Sequence, residues 1–200
     1  MIRSIIFDIG GVMVDIPNLK YYNYLARASG LGVNKVISSI EKNTPLFESG
    51  RIEINEYESN IAKELGILPS QVLWVDFYKK IAKLNMNTVS LIKKLKKNYQ
   101  IAYLSNVDYF RYTYTKKHIL NKVLYLFDYK LASCELGCVK PSREIYLKTL
   151  SIIGSKPQEA LFVDDVAKNV VGARRVGINA LVFESLQKLK SEMEKNNMKF

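Results

Sequence analysis

Residues 4–15 read Ser4-Ile5-Ile6-Phe7-Asp8-Ile9-Gly10-Gly11-Val12-Met13-Val14-Asp15. An apolar run ends abruptly in a carboxylate, and two glycines follow. The run Ile5-Ile6-Phe7 has the composition of a buried strand. Asp8 therefore falls at the carboxyl end of that strand, where open α/β sheets hold their ligands. Gly10 and Gly11 let the backbone turn tightly and approach a ligand closely. A carboxylate held at such a place is a candidate nucleophile or metal ligand.

Three more stretches have the same character. Ile101-Ala102-Tyr103-Leu104 runs into Ser105-Asn106. Gly137-Cys138-Val139 leads to Lys140-Pro141, with Ile145 and Tyr146 following at helical spacing. Ala160-Leu161-Phe162-Val163 ends in Asp164-Asp165, with Asn169 and then Gly172-Ala173-Arg174-Arg175-Val176-Gly177 beyond.

Five apolar runs are expected as strands, at about 3–8, 100–105, 127–132, 160–164 and 178–183. Helical patterns separate most of them. Thr88 is placed to cap a helix with Val89, Ile92 and Leu95 on its apolar face. Pro141 and Ser142 open another, which ends near Gly154, and Asn169–Val176 forms a third, stopped by Gly177. Such alternation implies an α/β fold with a doubly wound parallel sheet. Residues 17–87 break the pattern. They carry helical periodicity, no convincing strand, and stops at Gly30, Gly32, Pro45, Gly50, Gly66 and Pro69, as a helical insert would. The tail 184–200, with Leu186, Leu189 and Met193, reads as an amphipathic helix on the core.

Bulk properties narrow the function. Of 200 residues, 48% are apolar, enough for a packed core. No stretch approaches the roughly 20 apolar residues of a membrane span, and no signal-peptide pattern is seen. The expectation is a cytoplasmic protein without membrane contact. Cys134 and Cys138 are expected as free thiols, and with a single histidine, His118, they make a poor zinc site. The net charge is +11. Its lysines are scattered along helix faces, as in Lys93-Lys94-Leu95-Lys96-Lys97. That argues for solvated surfaces and against specific nucleic-acid binding, while favouring phosphorylated anions in general.

Taken in order, the aspartate, serine, lysine and aspartate pair resemble the haloacid-dehalogenase-like (HAD) hydrolase superfamily, and the motifs span most of the chain. The resemblance implies a Rossmann-like core from 1–16 and 88–200 and an inserted all-helical cap at 17–87. It also implies a magnesium-dependent phosphatase acting on a small phosphorylated metabolite through an aspartyl-phosphate on Asp8. Ser105 would donate its hydroxyl to the phosphoryl group, Asn106 an amide, and Lys140 its charge. Asp8, Asp165 and the Gly10 carbonyl would hold Mg2+. Asp164 would be a further metal-site carboxylate or an orienter of Lys140. The Gly10–Gly11 backbone would approach the substrate, and Arg51, after the turn at Gly50, would face it from the insert. A monomer or a homodimer is expected.

One position departs from the family pattern. Most phosphatases of the superfamily carry a second aspartate two residues after the nucleophile, as general acid and base. This chain has Gly10 there, as in a branch grouped with sugar-phosphate phosphatases. Asp15 and Asp108 are the candidate substitutes. Without a side-chain acid, better leaving groups are favoured, such as those of sugar 1-phosphates or aryl phosphates. Two other readings stand beside this one. One is a phosphate-binding regulatory protein with weakened catalysis, and the other is a metal-free haloacid dehalogenase.

Overall fold

A computed structural model describes residues 1–199. The chain opens with β1 (Ser4–Phe7), turns into β2 (Val14–Asp15) and enters four helices, α1 (Asn18–Ser29), α2 (Val33–Glu48), α3 (Ile54–Leu65) and α4 (Trp74–Ile81). It returns through β3 (Lys83–Leu84) and α5 (Met86–Leu95). Then come β4 (Gln100–Ser105), α6 (Tyr109–Tyr114), β5 (Tyr129–Ala132), α7 (Ser133–Leu136) and α8 (Arg143–Ile153). The last elements are β6 (Ala160–Asp164), α9 (Ala167–Arg175), β7 (Asn179–Val182) and α10 (Leu186–Lys195).

Five strands form one parallel sheet in the order β5-β4-β1-β6-β7. Successive side chains of β1 point to opposite faces. Ile5 and Phe7 pack with Val89, Ile92 and Leu95 of α5 and with Leu189 and Met193 of α10. Ile6 packs on the other face with Ile145 and Tyr146 of α8 and Val170 and Ala173 of α9. Covering both faces explains why the strands read as continuous apolar runs without alternation. Each such side chain contributes about 1.5–3 kcal/mol on burial.

The helices α1–α4 build a separate apolar cluster around Tyr21, Leu25, Val36, Phe47, Ile61 and Trp74. Tyr21 and Trp74 meet there with ring centroids 4.8 Å apart. The chain enters and leaves this segment side by side, because β2 and β3 pair antiparallel, Val14 with Leu84 and Asp15 with Lys83. Two-residue strands are too short to show a period and so cannot be recognised from sequence. No described helix is long and apolar enough to cross a membrane.

Three local expectations shift. Asn85, not Thr88, caps α5: its side chain accepts from the Asn87 and Thr88 amides, and Asn85 N donates to Met13 O at 2.8 Å. Thr88 is buried in the first turn instead. The strand expected from 127 starts at Tyr129, because Leu124–Leu126 is a 3₁₀ turn. Ser142 flanks α8 at its start, but its side chain makes no capping hydrogen bond.

Gly172, in the middle of α9, sits against the segment that carries Lys140. A Cβ there would lie 2.8 Å from the Pro141 carbonyl oxygen and 2.9 Å from Pro141 Cβ. Replacing a helical glycine by alanine ordinarily stabilises by about 1 kcal/mol. Here the contact is backbone, which cannot swing away. Gly172→Ala is therefore expected to destabilise by about 1–3 kcal/mol in urea unfolding. A gain in stability would contradict the close approach of α9 to Pro141.

Candidate active site

Asp8, Ser105 and Asp164 end three adjacent strands of the sheet, and Asp165 follows Asp164 directly. In register, Phe7 lies beside Tyr103 on one side and Val163 on the other. One step further, Asp8 is level with Leu104 and Asp164. The Lys140 ammonium reaches all three, donating to Asp8 Oδ1 at 2.8 Å, Asp164 Oδ2 at 2.6 Å and the Leu104 carbonyl at 3.0 Å. Asp8, Lys140 and Asp164 are all buried.

Lys140 comes from the loop between α7 and α8, 34 residues beyond Asn106. Asn106 fixes that loop. Its Nδ2 donates to Lys140 O at 2.9 Å, and its Oδ1 accepts from Lys140 N at 2.8 Å. The sequence reading gave Asn106 to the substrate. Its amide clamps the lysine backbone, while the residue also lines the cavity of the site.

Asp164 is engaged on both oxygens. Besides Lys140, it accepts from Val166 N at 2.8 Å and from Asn169 Nδ2 at 3.1 Å. Of the two roles open to it, orienting Lys140 matches these contacts. Asp165, next along, is exposed. One oxygen from each of Asp8, Asp164 and Asp165 falls within 4.8 Å of the others. This all-oxygen donor set suits a hard divalent cation such as Mg2+. Gly11 leaves room for it: with φ +72°, a Cβ there would sit 2.0 Å from Asp165 Oδ2.

Electrostatics follow from this crowding. Burial pushes the Asp8 carboxyl up to about 7, with Lys140 opposing and Asp164 and Asp165 reinforcing the rise. Burial works against the Lys140 ammonium, but Asp8 and Asp164 outweigh it and hold the group charged. Burial and Asp164 also raise Asp165. A cation among these carboxylates would relieve the repulsion.

Above them lies a cavity of about 380 Å³. Its floor includes Asp8, Gly10, Gly11, Ser105, Lys140 and Asp165. Ser105 Oγ makes no hydrogen bond to a described residue. Tyr22, Glu41 and Glu48 of α1 and α2 contribute to the walls, facing Tyr103, Arg111 and Tyr112 of the sheet side. Tyr21, by contrast, is core of the helical segment, and Tyr24 packs on Phe77.

Three sequence-derived candidates fall away from the cavity. Arg51 is exposed and is not among the lining residues. The turn that presents it is pinned elsewhere: a Cβ on Gly50 would touch the Tyr109 ring at 2.9 Å and Cys134 O at 3.0 Å. Asp15 is exposed in β2 and is likewise absent from the lining. Asp108 is buried, caps α6 by accepting from Arg111 N at 2.9 Å, and is ion-paired to the Arg111 guanidinium. His118 is exposed and stacks on Tyr114, and the two cysteines are free.

Arg111 itself escaped the sequence reading. It donates from Nη2 to Glu48 Oε1 at 2.8 Å, joining α6 to α2. Its guanidinium lies over the Trp74 and Tyr78 rings, 5.1 and 5.9 Å from their centroids. The only local signal was its spacing of three from Asp108, the cap-to-first-turn distance of a short helix.

Replacing Lys140 by methionine would leave Asp8 and Asp164 buried without their counter-charge. Removing one partner of a buried pair costs about 3–5 kcal/mol. Lys140→Met is expected to lose that much in urea unfolding at pH 7. A loss below about 1 kcal/mol would mean the ammonium does not hold the strand ends together.

The comparisons with known proteins agree with this geometry. The chain is 29% identical over 203 residues to D-ribitol-5-phosphate phosphatase of Bacteroides thetaiotaomicron, covering 94% of this chain and 92% of that protein. It is 27% identical to a sesquiterpene phosphatase of Aspergillus oryzae, covering 90% and 88%. The fold matches a HAD family enzyme of B. thetaiotaomicron, solved with magnesium and inorganic phosphate. That match has a TM-score of 0.73 at 21% identity, covering 94% of this chain and 99% of the other. The family model for haloacid dehalogenase-like hydrolases matches residues 2–177, and the chain belongs to that family.

Proposed function

We propose that this hydrolase is a magnesium-dependent phosphatase of small phosphorylated metabolites, working through an aspartyl-phosphate on Asp8. The observation that carries the reading is the group Asp8, Asp164 and Asp165 around the buried Lys140 ammonium at the floor of a cavity. The phosphatase relatives and the neighbour solved with magnesium and phosphate support it.

Each residue then has a task. Asp8 attacks phosphorus as the bond from phosphorus to the ester oxygen breaks, so the phosphoryl group passes to Asp8 and the alcohol departs with a proton from water. Lys140 holds the Asp8 carboxylate in place and offsets charge as the phosphoryl group arrives. Ser105 donates its hydroxyl to a phosphoryl oxygen. Asp164 and Asn169 orient the ammonium, and Asn106 sets its loop. Asp8 and Asp165, with the Gly10 carbonyl, would hold the magnesium ion, which supplies neutralisation of phosphoryl charge when bound. Water then attacks phosphorus and returns Asp8 as a carboxylate.

Two observations favour hydrolysis of phosphate over release of halide. Asp165 adds negative charge beside Asp8 and raises its pKa, which a metal-free nucleophile would have to overcome. One oxygen from each of Asp8, Asp164 and Asp165 lies within 4.8 Å of the others, a donor set for a divalent cation that release of halide does not need. Neither Asp15 nor Asp108 reaches the cavity to protonate a leaving oxygen, so the substrate's own leaving group matters more than in relatives with a second aspartate.

Asp8→Asn should abolish phosphate release from an aryl phosphate while unfolding like the native protein, since an amide is no nucleophile. Retained turnover in the folded variant sinks the reading. Magnesium at millimolar concentration should raise the melting temperature over EDTA, because a ligand that binds the folded state stabilises it. Gly11→Ala, by driving the Asp165 carboxylate aside, should shrink that rise. A full rise in this variant would place the ion elsewhere.

A further inference from the structure

We infer that Ser133 is a positioning residue for phosphoryl transfer, whose hydroxyl locks the wall of the cavity to its floor. The inference rests on the phosphatase reading and concerns a residue outside the cavity itself.

Ser133 is fully buried and does not line the cavity. It opens α7 directly after β5. In the β4–β5 register Ser105 stands beside Ala132. Beyond that rung the two chains part, one towards α6 and the other into α7. The Ser133 hydroxyl bridges them. Its Oγ accepts from Val107 N at 2.8 Å and donates to the Glu48 carbonyl at 2.6 Å. A hydroxyl has a single proton to give, so the bond to Glu48 uses its only donor.

Three parts of the molecule meet at that oxygen. Val107 follows Ser105, on the cavity floor, and Asn106, which clamps the Lys140 backbone. Ser133 itself begins the stretch that leads to Lys140. Glu48 ends α2, and it lines the cavity wall together with Glu41, Thr44 and Pro45. The surroundings of the oxygen are tight. Tyr109 Oη donates to the Cys134 carbonyl at 2.8 Å, and a Cβ on Gly50 would lie 3.0 Å from the same carbonyl.

The Asn106–Lys140 clamp and the Ser133–Val107 bond are therefore two rungs between the same two loops, and the second is anchored on the wall. Without the hydroxyl, the amide of the buried Val107 and the Glu48 carbonyl lose this partner. Buried polar groups are costly to leave unpaired, so the loop shifts towards new ones. Ser105 and Lys140 shift with it. In the proposed reaction both meet the phosphoryl group, so the loss falls on its transfer and not on binding of the leaving group. A misplacement of about 1 Å is enough to cost roughly 100-fold in rate.

The test follows magnesium-dependent phosphate release from p-nitrophenyl phosphate. Ser133→Ala should lower kcat by about 10–100-fold, with KM within about threefold of the wild type. A merely structural serine would lower the melting temperature and leave kcat native in the folded protein, and that result would overturn the inference. Ser133→Cys keeps the side-chain volume but bonds weakly, and it takes the place of Ser133→Ala if the latter fails to fold.

A double-mutant cycle with Asn106→Ala traces the route. Two changes that loosen the same loop do not multiply, so in the Asn106→Ala background the Ser133 substitution should cost less than about threefold in kcat. Full multiplication of the two losses would overturn the inference. Wild-type turnover reports the phosphatase reading separately. An active wild type with native kcat in the folded Ser133 variants removes only this inference, and an inactive wild type removes both.

Discussion

A buried ammonium between two carboxylates is the contact on which the rest of this structure turns. The parallel register makes Asp8, Leu104 and Asp164 neighbours across three strands, and Lys140 Nζ bonds all three. Each charge alone would be expensive to bury. Together they are tolerable because the ammonium donates to Asp8 Oδ1, Asp164 Oδ2 and the Leu104 carbonyl. Asn169 and Val166 N complete Asp164, and Asn106 grips the lysine backbone from both sides. Even the tight packing of Gly172 on Pro141 serves this end, because it fixes the residue next to Lys140. Four stretches distant in sequence are thus tied into one rigid floor.

A second ion pair does for the walls what the first does for the floor. Glu48 ends α2 in the helical segment, and Arg111 lies in α6 beside the sheet. Ser133 Oγ adds a hydrogen bond to the Glu48 carbonyl at 2.6 Å and accepts from Val107 N at 2.8 Å. These contacts tie the end of α2 to the core beside the cavity, whose lining includes both Glu48 and Arg111. The helical segment is held at two places, by the β2–β3 pair where it leaves and rejoins the core and by the Glu48–Arg111 pair at the end of α2.

The sequence showed the floor more clearly than the walls, for a physical reason. Strand-end carboxylates follow apolar runs, so Asp8 and Asp164-Asp165 announce themselves. Lys140 was found only through resemblance, since a lysine before a proline looks like any surface lysine. Asn106 was seen, but not its hold on Lys140: nothing local shows that its amide reaches a backbone 34 residues away. Arg51 and Arg111 are the sharper pair. Both are arginines beside plausible turns, and only tertiary packing buries one in the cavity wall and turns the other to solvent. Asp108 was read as a free acid because its partner lies on the next helical turn.

The two adjacent glycines show how differently one residue type can be required. At Gly11 the backbone is left-handed and a Cβ would collide with Asp165, so the metal-capable group itself demands glycine. At Gly10 a Cβ would meet only Ile16 Cδ1, at an ordinary 3.5 Å. Packing at Cβ therefore does not forbid a side chain where relatives of the wider superfamily carry their second aspartate. Electrostatics gives a reason for its absence. Burial and two neighbouring carboxylates already push Asp8 to about 7. Another carboxylate two residues away would make the ionised nucleophile harder to maintain. Glycine at this place keeps the Asp8 carboxylate easier to ionise, and in the proposed phosphatase reaction it brings no side chain to the departing oxygen. Under that proposal the departure of the leaving group depends chiefly on the substrate's own chemistry.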